Sequence, residues 1–142
     1  MASQASRHVG KEVNFDIASW AGLLFIVLSL FTIGFQVALL FGAPWGEWTM
    51  GGRVRGVLTG VWRWVPALSI LILLAFIAIV AARSGLALPG LREWSNSLIW
   101  VVVAYCSLGC VANAATPSVR ERRLWLPVLV LLLGSSLIVA FD

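Results

Sequence analysis

Four uninterrupted apolar runs dominate this chain, and none of them contains an acidic or basic residue. They are IASWAGLLFIVLSLFTIGFQVALLF at 17–41, VPALSILILLAFIAIVAA at 65–82, SLIWVVVAYCSLGCVANAA at 97–115 and LWLPVLVLLLGSSLIVAF at 124–141. A helix needs about 20 such residues to cross the hydrocarbon core of a bilayer. Backbone in lipid must satisfy its hydrogen bonds internally, which favours helix over open strand. The alternation of a membrane barrel is missing. The runs therefore predict an all-α, four-helix transmembrane bundle forming a single integral membrane domain over 1–142, with both termini on the same side. Composition agrees: 61% of the residues are hydrophobic and 11% charged, against about a quarter charged in soluble domains. The first run is too long for a cleaved signal and is expected to stay as a span.

Local chemistry marks the boundaries. Asn14 or Asp16 suits the cap of the first helix, and Ser95 or Asn96 that of the third. Gly42 and Pro44 end the first helix. Pro66 fits the opening turn of the second. Ser118 and Glu121 have the spacing of a capping box. With the box, the fourth helix starts near Val119 and is kinked by Pro127; without it, the helix starts near Leu124. The box is the preferred reading.

Ten basic residues, all arginine except Lys11, give a net charge of +4. They lie beside tryptophan and next to apolar runs, as in "VWRWVP", "LREW" and "RERRLW". That is the pattern of headgroup anchors rather than of a nucleic-acid surface, so no nucleic-acid partner is expected. The connectors 42–64 and 116–123 share one face, the loop face. It carries Arg53, Arg55, Arg63, Arg120, Arg122 and Arg123, against Arg7, Lys11, Arg83 and Arg92 on the terminal side. This tilts toward a cytoplasmic loop face without fixing the orientation.

Chemistry-bearing residues are sparse. Small and polar residues recur at helical spacing in the first run (Ala18, Gly22, Phe25, Ser29, Thr32, Gln36) and the third (Val102, Cys106, Gly109, Cys110, Asn113). They read first as close-packing stripes. The sharper reading has Gln36 and Asn113 lining a polar pocket near the loop face, with Asn113 bonding another helix. Cys106 and Cys110 stand one turn apart in mid-helix, poorly placed for a disulfide or a redox pair, and read as packing residues. His8 is alone in a polar tail. Neither a cofactor nor a metal is implied. The loop face concentrates what remains, and Gln36, Trp45, Glu47, Trp48, Arg53, Asn113, Arg120, Glu121 and Arg123 form the candidate binding set. The segment FGAPWGEWTMGG, 41–52, is expected to fold back over the bundle mouth, pinned by a Glu47–arginine pair.

The stretches "GAPWG", "GGRVRGVL" and "YCSLGCVANAATPSVRERRLWLPV" carry a resemblance. Over residues from about 40 to 140 the chain resembles a widespread group of small bacterial four-span membrane proteins. That group has an aromatic–x–x–Leu-Gly–x–x–x–Asn run, then Ser–x–x–Glu-Arg and a Trp–x–Pro entering the last span. The chain departs from it at Arg55 and at Thr116-Pro117. The resemblance implies the four-span fold and a bacterial inner membrane, and no activity.

The leading functional expectation is a non-enzymatic membrane protein that binds a partner protein or lipid through the loop face, as in an accessory subunit of a larger complex. The alternative is a homo-oligomeric transporter or channel with Gln36 and Asn113 near its path. A third reading is a headgroup-directed enzyme with Glu47 or Glu121 as base.

Overall fold

The structure, a computed structural model, describes residues 15–142. Arg7, His8, Lys11 and the candidate cap Asn14 lie outside that range. The described chain contains four long helices: α1 (Ile17–Leu40), α2 (Trp64–Arg83), α3 (Arg92–Ala115) and α4 (Val119–Phe141). All four are long and apolar enough to cross a membrane. Among the described residues there is no strand. The chain is an integral membrane protein of the four-helix class.

Asp16 caps α1 by accepting from the Ser19 N–H at 2.8 Å. Hydrogen bonding from Ser19, its side chain first and then its backbone N–H, holds the Asp16 carboxyl below its ordinary pKa. Gly42 ends α1 with φ +93°. Its N–H donates to the Leu39 carbonyl at 3.2 Å, and the Ala43 N–H donates to that of Ala38 at 2.9 Å. This is the paired C-terminal closure that a left-handed residue permits. Pro66 sits in the first turn of α2, where a missing N–H costs nothing.

One boundary differs from the sequence reading, that of α3, and that of α4 follows the preferred one. α3 starts at Arg92, five residues before the apolar run, and Ser95 lies inside it rather than at its cap. The Ser95 hydroxyl donates to the Arg92 carbonyl at 2.7 Å. A 3₁₀ turn over Pro89–Leu91 launches the helix, and Arg92, Glu93 and Trp94 extend it through the headgroup zone, where charge is tolerated. α4 starts at Val119, the capping-box alternative, and continues through Pro127.

The helices form a ring in which α1 touches α2 and α4, and α3 touches α4 and, over a smaller area, α2. α1 and α3 are diagonal. At the terminal side Ser19 Oγ lies 3.4 Å from the Ser84 carbonyl oxygen, and Trp100 meets Phe141 edge-on at 5.2 Å. The start of α1 and the end of α4 thus share one side. Phe25, Phe76, Val80, Ile99, Val102 and Leu132 are central to the core. Ser135 and Ser136 are buried and donate to carbonyls of their own helix, which removes unpaired hydroxyls from an apolar interior. Large apolar side chains such as Leu71, Leu108 and Val111 point outward, as lipid-facing residues must. Trp20 and Trp94 are exposed near one end and Trp62 and Trp64 near the other, the two aromatic belts of a spanning protein.

Candidate functional site: a capped cavity in the loop-side half

The connector after α1 closes on itself before it closes on the bundle. The Gly46 N–H donates to the Gly56 carbonyl at 2.9 Å. A Cβ at Gly46 would stand 2.6 Å from the Val54 carbonyl oxygen and 2.8 Å from that of Gly56, so only glycine fits this crossing. Short 3₁₀ turns at Gly46–Trp48 and Met50–Gly52 then bring the chain across the helix ends. Met50 is left-handed at φ 54°, a conformation that costs a non-glycine residue about 1 kcal/mol. Flanking bonds must offset this.

Those bonds all run to the start of α4. The Gly51 N–H donates to Glu121 Oε2 at 2.8 Å. The Thr116 hydroxyl donates to the same oxygen at 2.7 Å. Ser118 Oγ donates to the Glu47 carbonyl at 3.1 Å, and Trp125 Nε1 to the Trp48 carbonyl at 2.7 Å. Glu47 pairs with Arg120, whose guanidinium lies 6.0 Å from the centre of the Trp48 ring. The Trp45 ring stacks on Phe35 at 5.7 Å, and Phe35 meets Trp125 edge-on at 4.8 Å. The capping box is therefore only half formed. Ser118 Oγ accepts from the Glu121 N–H at 3.2 Å, but the Glu121 carboxylate turns away from the helix to hold the connector.

Beneath this cap lies a cavity of about 410 Å³, lined by all four helices and by Thr49 of the cap. Its walls are apolar: Phe25 of α1, Leu73 and Phe76 of α2, Val128 and Leu132 of α4. Its loop-side end is polar, with Gln36, Asn113, Glu121 and Thr49. Leu108 and Ala112 line the cavity yet are exposed on the outside of the bundle. The α3–α4 side is shut, because Gly109 packs so close to Leu129 that a Cβ would stand 3.0 Å from it. The α2–α3 side joins at Phe76 and Tyr105, whose rings meet at 5.0 Å. On the loop side of that contact, α2 lines the cavity with Ser69 and Leu73.

The sequence-derived residues divide accordingly. Gln36, Asn113 and Glu121 line the cavity. Trp45, Glu47, Trp48 and Arg120 build the cap and its fastening. Arg53 and Arg123 are exposed and line neither. Arg123 lies two residues from both Glu121 and Trp125, hence on the other side of α4. The expected bond from Asn113 to another helix does not form. Asn113 Nδ2 donates to the Gly109 carbonyl of its own helix at 3.0 Å, and its Oδ1 is buried without a partner. Gln36 and Asn113 belong to diagonal helices with the cavity between them, which keeps them apart. Thr49, Thr116 and Trp125 were missed as site residues. Only Trp125 carried a signal, as the tryptophan of the Trp–x–Pro entry to α4. Cys106 is buried and Cys110 half-buried, both as free thiols. Compared with known proteins, the chain matches no family model, no curated protein and no solved structure.

Proposed function

We propose that this protein binds a lipid-like amphiphile, one molecule in the cavity, with its chain between the helices and its head beneath the cap. One observation carries the reading. A cavity with apolar walls and one polar end is lined in part by Leu108 and Ala112, which are also exposed on the lipid-facing outside of the bundle. Soluble ligands enter from water; a wall shared with the lipid-facing surface suits a molecule already dissolved in the bilayer. We further place the protein in a bacterial inner membrane, on the resemblance described above, and read it as a binding protein rather than an enzyme. Lipid is preferred over a partner protein because Glu47 and Arg120, the most interactive loop-face charges, are spent on one another.

Native mass spectrometry after mild extraction tests this. The wild-type chain should retain a stoichiometric amphiphile. A Ser69→Phe, Ala112→Phe variant, which narrows the cavity from both helices, should lose it while keeping its helical content. Equal retention by the two proteins would contradict the proposal.

A further inference from the structure

Resting on the reading of the cavity as an amphiphile site, we infer that the ligand head donates hydrogen bonds and bears no negative charge: a hydroxyl or an ammonium, not a phosphate. Two observations converge at the polar end. Glu121 supplies an acceptor that asks for a donor. Its Oε2 takes both protein donors, Gly51 N–H and Thr116 O–H, and among the described residues no bond reaches Oε1. Second, Glu121 is the one charged side chain among the described residues lining the cavity.

The neighbouring cations do not alter this balance. Arg120 is held outside by Glu47 and Trp48. Arg122 Nη1 reaches the Thr116 carbonyl at 3.4 Å, and Arg123 is exposed on the other side of α4. An anionic head in the cavity would meet the Glu121 carboxylate with no cation among the lining residues to pair it. Desolvating an unpaired charge is among the most costly events in a protein interior. A hydroxyl or ammonium instead donates to Glu121, and an ammonium also gains the attraction of its charge. The basic loop face attracts phosphate headgroups from outside while the cavity beneath it rejects them.

The test uses the full chain, ¹⁵N-labelled, in phosphatidylcholine nanodiscs. It is titrated separately with 1-dodecanol, dodecylamine and dodecyl phosphate, at concentrations corrected for partition into the bilayer. The readouts are the Asn113 side-chain NH₂ resonances and the Gly51 amide. Dodecanol or dodecylamine should bind at least roughly tenfold tighter than dodecyl phosphate, a difference of about 1.4 kcal/mol. Whichever of the two binds better identifies the head as hydroxyl or ammonium. Glu121→Gln keeps an acceptor for Gly51 and should narrow the margin against the phosphate. A phosphate bound as tightly as the better of the other two, or an unchanged margin in Glu121→Gln, overturns the inference and leaves the cavity reading standing. Silence from all three probes, in a chain whose spectrum is that of the folded protein, overturns both.

Discussion

The backbone N–H of Gly51 donates to the carboxylate of Glu121 at 2.8 Å, across 70 residues of sequence. This bond joins the connector after α1 to the first turn of α4 directly above the cavity. Hydrogen bonds to charged groups contribute about 1.5–3 kcal/mol. Glu121→Ala should therefore raise hydrogen exchange at the Gly51 amide by roughly tenfold or more, while Glu121→Gln, which keeps an acceptor, should raise it far less. Equal protection in Glu121→Ala and the wild type would contradict a fastening role.

The Glu47–Arg120 pair is a weaker link despite its closeness. The Glu47 side chain is 38% exposed and that of Arg120 63%, and solvent-exposed pairs contribute below about 1 kcal/mol. A double-mutant cycle with Glu47→Ala and Arg120→Ala should give a coupling under that value, shrinking as salt rises. Coupling above about 2 kcal/mol, insensitive to salt, would mean that the pair rather than Glu121 holds the cap.

Gly46 predicts a steric threshold. Gly46→Ala places a methyl group 2.6 Å from a backbone oxygen, and backbone cannot swing aside as a side chain can. Overpacking of this kind costs about 1–3 kcal/mol. The variant should unfold at a lower temperature and lose protection across 46–52. Gly134→Ala, with nothing within 4 Å of the new Cβ, should leave both measures near wild type. Matching behaviour of the two variants would argue against the close crossing.

The cysteines should prove dispensable to the fold. Cys106 is buried in the core and Cys110 half-buried, one turn apart on α3. Replacing both with Ala removes little volume. The double variant should insert, stay helical and keep a protected Gly51 amide. Collapse of the cap in an otherwise folded double variant would assign the thiols a larger part.

Much of the fold was legible because lipid leaves the chain few choices. Four uncharged runs of the right length admit little besides four spans, Gly42 and Pro66 announce their roles through backbone chemistry alone, and Asp16 was one of two candidate side-chain caps. The start of α3 was misread because the apolar run begins after the helix does: Arg92–Asn96 extend it through headgroups, where polarity no longer signals an end. The candidate site was legible in part. Helical spacing directed attention to Gln36 and Asn113 near one end, but spacing along a helix says nothing of distance across a ring, and the two residues line a void from diagonal helices without bonding each other. Glu121 illustrates the remaining gap. Its place in a Ser–x–x–Glu box predicts a local bond, and only the folded connector reveals that a Gly51 N–H competes successfully for the carboxylate.

The central claim is that an amphiphile occupies the space beneath the cap, and intermolecular NOEs test it most directly. The protein, methyl-labelled and placed in nanodiscs, would be examined for contacts between acyl-chain protons and the methyl groups of Leu73, Leu132 and Leu71. Leu73 and Leu132 line the cavity and are only 7% and 4% exposed, whereas Leu71 is 65% exposed on the outer surface. The account predicts strong NOEs to all three, with those to Leu73 and Leu132 abolished in the Ser69→Phe, Ala112→Phe variant. NOEs to Leu71 alone would contradict it, because lipid would then touch the outside of the bundle and never enter.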